Sequence, residues 1–139
     1  MFAELRQPKH EYYAAFLNDR ATQSVVLVAS NQGGMNIEEV AAKDPNAIIT
    51  TPIPFATGLT KDIALDVAKK LGFSSPDAED QAAGIFMNLY KLYKEKDATQ
   101  VEINPLAETT DGAVLWYVRT LLWNRRILIF SKHGRKAWL

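Results

Sequence analysis

Residues 100 to 105 read Gln-Val-Glu-Ile-Asn-Pro, and the other elements of this 139-residue chain can be placed around them. Val101 and Ile103 alternate with Glu102 and Asn104, and a period of two is typical of a half-buried strand. Glu102 and Asn104 then project from one face, and Pro105 is expected to end the ladder. A carboxylate beside an amide oxygen suits Mg²⁺ that keeps several waters and binds phosphate oxygens. The pattern also fits an ordinary strand that shows polar residues to water, so the residues alone leave both interpretations open.

Length and charge exclude several classes of protein. A chain of 139 residues can bury the core of one domain, and no stretch is apolar for long enough to span a membrane. The absence of cysteine and the presence of only two histidines exclude thiolate and histidine-cluster metal centres. The first 115 residues carry 10 basic and 16 acidic side chains, a net charge of −6. Nucleic-acid binding is not expected, because affinity for phosphate chains comes from clustered Lys and Arg.

Two helices are predicted before the central strand. The first begins after Thr60, a good N-cap residue, and ends at Gly72, which suits a C-terminal cap. The second begins at Pro76, which fits the first turn of a helix, and runs to about Lys94. Both carry apolar residues on one face, so we expect them to pack on a sheet.

Four further strands are predicted from aromatic and β-branched runs, at residues 11 to 20, 24 to 30, 47 to 51 and 113 to 118. The last follows a hairpin turn with the signal Asp111-Gly112, and it is expected to pair with residues 100 to 104. Gly33-Gly34 is interpreted as a turn, because it lacks the spacing and the lysine of a P-loop. The predicted fold is α+β, with one antiparallel sheet and two helices packed on one face.

Three runs of sequence carry a family resemblance: Val101-Glu-Ile-Asn-Pro-Leu106, Ala29-Ser-Asn-Gln-Gly-Gly-Met-Asn-Ile-Glu-Glu-Val-Ala41, and Glu11-Tyr-Tyr with Asp19-Arg20. In this order they resemble the β subunit of succinate–CoA ligase (succinyl-CoA synthetase). The resemblance covers roughly residues 1 to 115 and implies a partial ATP-grasp domain there, namely its second, C-terminal lobe. ATP-citrate lyase is similar in its ligase-like region, and is the nearest relative to be distinguished.

The resemblance also implies an activity and a set of site residues. In that family succinate, CoA and ATP or GTP give succinyl-CoA, ADP or GDP, and phosphate. This step of the tricarboxylic acid cycle is reversible and runs through a phosphohistidine on a partner α subunit. Carried over by position, Glu4 lies at the hinge near the base, and Glu11 faces the ribose or phosphates. Asn104 is a Mg²⁺ ligand, and Glu102 is the catalytic residue that orients the phosphohistidine. Mg²⁺ on the phosphates would offset the charge that builds up during phosphoryl transfer.

The chain departs from the family pattern in ways that bear on activity. The first lobe, with the nucleotide-binding lysine and the Gly-rich loop, would precede residue 1, and the CoA-ligase domain would follow. The family's second Mg²⁺ ligand is an aspartate expected near Val118, where this sequence has no acidic residue. Arg119 close to that position would repel the cation. We therefore expect the chain alone to be inactive or nearly so.

Residues 116 to 139 form a basic tail that contrasts with the acidic body. All three tryptophans and six basic residues lie there, with no acidic residue. One interpretation is a tail not native to the family, such as a translated intron or a shifted frame. The rival is that residues 121 to 130 form a basic amphipathic segment or strand for a membrane surface or a partner.

Three further expectations concern the whole chain. Eukaryotic members of the family work in the mitochondrial matrix and bacterial members in the cytoplasm, so the matrix is expected for a eukaryotic source. One alternative function is a non-catalytic interaction module that keeps a surface for an α-type partner. The other is a part of a related ATP-grasp acyl-CoA ligase or of ATP-citrate lyase.

Overall fold

The computed structural model describes residues 8–123, 126–130 and 136–138, with side chains described for residues 8–116. Its helices are α1 (Ile37–Lys43), α2 (Lys61–Leu71) and α3 (Pro76–Glu95), and a 3₁₀ turn spans Pro45–Ala47. Its strands are β1 (Pro8–Asp19), β2 (Ser24–Ser30), β3 (Ile48–Pro52), β4 (Gln100–Thr109), β5 (Val114–Trp123), β6 (Arg126–Phe130) and β7 (Lys136–Trp138). They form one antiparallel sheet in the order β3-β2-β1-β4-β5-β6-β7. The predicted α+β class with an antiparallel sheet is confirmed.

The two predicted helices form at the expected positions. The Thr60 side chain accepts a hydrogen bond from the Ile63 N–H at 3.4 Å, and Gly72 adopts a positive φ of 80° at the C-terminal cap of α2. Ser75 caps α3 by accepting from the Ala78 N–H at 3.1 Å. These side-chain bonds satisfy backbone donors that have no partner within the helix.

Helices α2 and α3 pack against one face of the sheet, as predicted. The core lies between them and this face. It includes Phe16 from β1, Phe86 from α3 and Ile103 from β4, all buried. Tyr12 stacks on Phe73 with ring centroids 4.1 Å apart. Because side chains alternate along a strand, Tyr13 and Glu102 are directed to the opposite face of the sheet.

The short helix α1 was not among the two predicted helices. It is capped by Asn36, whose Oδ1 accepts a hydrogen bond from the Glu38 N–H at 3.1 Å. Val40 is the buried residue of the helix. Seven residues provide less than two full turns of apolar periodicity, so the segment gave only a weak helical signal.

Strand β4 is the central element, because it pairs with both β1 and β5. The expectation that Pro105 ends the ladder is wrong: β4 continues to Thr109. Pro105 has no N–H to donate, so on both sides the pairing passes from Ile103 to Leu106 through a register irregularity. The peptide bond between Asn104 and Pro105 is cis.

The predicted boundary between residues 115 and 116 falls inside β5, which continues to Trp123. The pairing of β5 with β4 runs from Val114 opposite Glu108 to Leu122 opposite Gln100. The origin of the basic tail stays a prediction. In the part of the chain that the structure describes, no helix is both long and apolar enough to cross a bilayer.

Candidate functional site

The face of β4 that is turned away from α2 and α3 carries two residues that the sequence singled out, Glu102 and Asn104. Gln100, Glu102 and Asn104 recur at every second position and line one cavity of about 450 Å³. The rest of the lining comes from Tyr13 of β1 and from residues 34–38, which run from the end of the glycine turn into α1. The expected shared direction of Glu102 and Asn104 therefore agrees with the structure.

The amide of Asn104 is tied to the turn between β2 and α1. Its Oδ1 accepts a hydrogen bond from the Gly34 N–H at 2.8 Å, and its Nδ2 donates to the Met35 carbonyl at 3.0 Å. Asn104 is only 6% exposed. An amide oxygen has two lone pairs, so one acceptor position of Oδ1 remains beyond the bond from Gly34.

The turn itself fits against the strand that carries Glu11. The Gly33 N–H donates to the Glu11 carbonyl at 2.9 Å. A side chain on Gly33 would collide with the backbone of Tyr12, and one on Gly34 would collide with the carboxylate of Glu11. The backbone and side chain of Glu11 thus both contact the turn that Asn104 holds. The predicted role of Glu11 towards the ribose or phosphates stays a prediction.

Glu102 is half-buried and has a neighbouring amide. The Nε2 of Gln100 donates to Glu102 Oε2 at 3.3 Å. Burial and, second, the Glu102 carboxylate raise the pKa of Tyr13 above its ordinary value, because both disfavour a phenolate there. Tyr13 therefore stays a neutral phenol beside a carboxylate at neutral pH. A neutral phenol can donate a hydrogen bond to an anionic group.

Glu11 is not among the described residues that line this cavity. Two other positions from the sequence analysis have no described side chain. Glu4, the predicted hinge residue, lies outside the described residues. The backbone of Val118, where a second metal ligand was expected, pairs with Ile103 across the β4–β5 ladder. Sequence reasoning missed Gln100 and Tyr13. Tyr13 lies two residues after Glu11 on the same strand, so alternation from Glu11 was the signal that could have found it.

The side chains of the cavity fit Mg²⁺ only if phosphate and water complete its coordination. Among the described residues, no group of three or more histidine, cysteine, aspartate or glutamate side chains could hold a metal ion. The predicted pair, Glu102 and Asn104, offers one carboxylate and one amide oxygen, and Glu38 adds a second carboxylate to the lining. Mg²⁺ commonly takes one or two protein oxygens together with substrate phosphates and water, so this donor set suits a nucleotide-bound ion.

Comparisons with known proteins identify the family. Residues 1–108 match the family model described as an ATP-grasp domain. The chain is 54% identical over 112 residues to the hydrogenosomal ADP-forming succinate–CoA ligase subunit beta of Neocallimastix frontalis, an alignment covering 81% of this chain and 25% of that protein. It is 57% identical over 100 residues to the mitochondrial subunit of Saccharomyces cerevisiae, covering 72% of this chain and 23% of that protein.

A solved structure agrees in fold. ATP citrate lyase from Methanothrix soehngenii, determined with citrate and coenzyme A, superposes with a TM-score of 0.55 at 25% identity. The alignment covers 79% of this chain and 23% of that one. The chain thus spans about a quarter of the length of the relatives it matches. Because the family model covers most of its residues, the chain belongs to the ATP-grasp domain family, in a segment similar to the β subunit of succinate–CoA ligases.

Proposed function

We propose that this chain is a nucleotide- and Mg²⁺-binding part of a succinate–CoA ligase β subunit. The proposed reaction is the reversible conversion of succinate, CoA and ATP or GTP into succinyl-CoA, nucleoside diphosphate and phosphate. The observation that carries the proposal is the shared cavity of Glu102 and Asn104, in a chain 54% identical to such a subunit over 112 residues. The proposed partner is an α subunit. The relatives named above are mitochondrial or hydrogenosomal, which supports the mitochondrial matrix for a eukaryotic source.

Each residue has a separate task in the proposed mechanism. Asn104 would hold Mg²⁺ through the remaining lone pair of Oδ1, and Glu11, together with Glu4, would contact the nucleotide. Glu102 accepts a hydrogen bond from the partner's phosphohistidine ring and orients it while the phosphoryl group is transferred. When bound, Mg²⁺ would neutralise negative charge on the phosphate oxygens. The neutral phenol of Tyr13 adds a hydrogen-bond donor to the lining of the same cavity.

Isothermal titration with ADP and GDP, each with and without Mg²⁺, tests the proposal on this chain. We expect binding that strengthens with Mg²⁺, because Asn104 would hold the ion and the ion would neutralise phosphate charge. Asn104→Ala should remove the Mg²⁺-dependent part. Glu102→Gln should keep most of the nucleotide affinity, because its proposed role lies in orienting the phosphohistidine. Asn88→Ala is the matched control, since Asn88 is an exposed asparagine of α3 outside this cavity.

The same titration separates the proposal from its main alternative. Absence of heat with both nucleotides at high concentration, in a chain shown to be folded, would contradict nucleotide binding and support a non-catalytic interaction module. If Asn104→Ala kept the Mg²⁺-dependent gain in affinity, the metal would have to bind at other residues. A longer protein containing this segment, assayed with succinate, malate and citrate, would distinguish succinate–CoA ligase from citrate lyase activity.

A further inference from the structure

We propose that the Gly33–Gly34–Met35 turn is a positioning element that fixes the orientation of the Asn104 amide, so that the site requires asparagine, and not aspartate, at residue 104. The metal-related part of this inference rests on the proposed function. The part about amide orientation depends only on contacts within the chain. Gly34 is then a positioning residue that acts on the metal through Asn104.

Contacts with β1 fix the position of the turn. The Gly33 N–H donates to the Glu11 carbonyl at 2.9 Å, and the absence of a side chain allows Gly33 to lie directly on the backbone of Tyr12. At this approach no other residue fits without moving β1 or the turn. The N–H of Gly34 and the carbonyl of Met35 are therefore presented to β4 at fixed positions.

Those two backbone groups decide which end of the Asn104 amide faces which partner. Oδ1 accepts from the Gly34 N–H at 2.8 Å, and Nδ2 donates to the Met35 carbonyl at 3.0 Å. If the amide turned over, its NH₂ group would face the Gly34 N–H, and its oxygen would face the Met35 carbonyl. Both contacts would then be repulsive in a site where Asn104 is 6% exposed. The turn thus holds Oδ1 as the acceptor that Asn104 can offer to a ligand.

The same contacts give aspartate a specific disadvantage. A carboxylate is ordinarily the stronger Mg²⁺ ligand, so a site that needed only charge would improve on changing Asn104 to Asp. Here the second carboxylate oxygen would replace Nδ2 opposite the Met35 carbonyl, and no donor would remain for that carbonyl. The substitution should therefore release the turn and weaken the Mg²⁺ site.

The first experiment measures the orientation of the amide without any ligand. In NMR spectra of the chain, the side-chain NH₂ protons of Asn104 should exchange with solvent at least about tenfold more slowly than those of the exposed Asn88. Gly34→Ala should bring Asn104 close to the rate of Asn88. Gly72→Ala is the matched control, because Gly72 also has a positive φ, 80° against 71° for Gly34, but has no atom within 4 Å of an added Cβ.

The second experiment uses a readout that a purely structural role would not change selectively. ADP affinity is measured with and without Mg²⁺ for Gly34→Ala, Gly72→Ala and Asn104→Asp. For Gly34→Ala we expect loss of most of the gain that Mg²⁺ gives, measured as the ratio of ADP affinity with Mg²⁺ to ADP affinity without it, because a change in affinity for ADP alone cancels in this ratio. Gly72→Ala should keep that gain. If Gly34→Ala does not fold, Asn104→Asp carries the test, with the expectation of a smaller Mg²⁺ gain than in the wild type.

Three results would overturn the inference: fast exchange of the Asn104 NH₂ group in the wild type, tighter Mg²⁺-dependent binding by Asn104→Asp, or an unchanged Mg²⁺ gain in Gly34→Ala. Failure of the proposed function looks different. If the wild type binds no nucleotide, the proposed function fails, and the exchange rates alone decide the inference. A protected amide that Gly34→Ala releases would support it, and an unprotected amide would overturn it.

Discussion

At the scale of single residues, Glu108 shows how one buried carboxylate joins the sheet to the helical layer. It is 1% exposed, and it accepts hydrogen bonds from the Tyr12 hydroxyl at 3.2 Å and from the Ser74 N–H at 3.2 Å. The Ser74 hydroxyl donates to its other oxygen. Ser74 precedes α3, so Glu108 ties the end of β4 to the connection between α2 and α3. A buried charge with several donors is costly to disturb, because each donor left without a partner loses its hydrogen bond.

We predict that Glu108→Gln lowers the free energy of unfolding by about 1 to 3 kcal/mol at neutral pH, because the amide NH₂ group would face a donor. Burial alone would raise the pKa of Glu108, but the hydrogen bonds from Ser74, that from Tyr12, and the positive charge of Lys9 outweigh it and hold the pKa below its ordinary value of 4.5. The stability that the carboxylate contributes is therefore complete above pH 4.5 and lost as the pH falls through the lower folded-state pKa.

Urea unfolding at several pH values checks this sign. The difference in stability between the wild type and Glu108→Gln should be constant at neutral and mildly acidic pH and should shrink below pH 4.5. Glu39→Gln is the control, since Glu39 is an exposed glutamate of α1. A difference that grew on acidification would mean that burial dominates and that the pKa of Glu108 is raised.

The sequence predicted which face of the strand the site residues occupy, but it did not predict their hydrogen-bond partners. Alternation along residues 100 to 104 was enough to place Glu102 and Asn104 on one face, because the period of a strand is a local property. The bonds from Asn104 to Gly34 and Met35 join residues about 70 positions apart in the chain. Local patterns carry no information on such contacts. Gly33-Gly34 was accordingly interpreted only as a turn, without its partner on β4.

At the scale of elements, two glycines should respond oppositely to alanine. Gly84 lies in the middle of α3, and an added Cβ would meet nothing within 4 Å. Gly84→Ala should therefore raise the free energy of unfolding by about 0.5 to 1 kcal/mol, because alanine loses less backbone entropy in a helix. Gly33→Ala should lower it by at least about 2 kcal/mol, because the new methyl group would collide with the backbone of β1.

Thermal and urea unfolding of both variants measure the contrast. Far-UV circular dichroism should show no loss of helix in Gly84→Ala. A stable Gly33→Ala variant with an unchanged midpoint would show that the turn can move away from β1. That result would also weaken the positioning role assigned to the turn, so the pair of variants tests the turn independently of any ligand.

Helices with strong end signals were predictable, and the short one was not. Thr60 and Gly72 mark both ends of α2 through their own side-chain and backbone chemistry, and the structure confirms both caps. The seven residues of α1 depend on the cap at Asn36 and on burial of Val40. Burial is a tertiary property, so it could not be read from the sequence of the segment. The continuation of β4 past Pro105 was missed for a related reason, since it depends on both neighbouring strands.

At the scale of the whole molecule, the sheet has two unlike faces. One is covered by α2 and α3, and the other carries the cavity with Glu102 and Asn104. The class and the antiparallel pairing of β4 with β5 follow from alternation, caps and turn residues, which all point to the same fold. The extent of the sheet does not follow from them. The change in composition at residue 116 suggested a boundary, whereas the backbone continues β5 through it.

This continuity leads to a prediction about truncation. A chain ending at residue 115 would keep only two of the seven registered pairs between β4 and β5, those at Ala107 and Glu108. The outer edge of the central strand would then be exposed along most of its length, which removes ladder hydrogen bonds and favours aggregation. We expect this chain to unfold at a temperature at least about 10 °C lower than the full chain, or to precipitate.

A second truncation, ending at residue 123, separates the role of β5 from that of the strands beyond it. It retains all seven pairs with β4, so it should unfold cooperatively and at a higher temperature than the chain ending at residue 115. Calorimetry of the three chains at equal concentration gives the comparison. If the chain ending at residue 115 unfolded within about 2 °C of the full chain, a change worth less than about 1 kcal/mol, β5 would contribute little and the domain would end where the composition changes. If both truncated chains were equally destabilised, the strands beyond residue 123 would be needed to complete the sheet, because β5 alone would not protect the edge of β4.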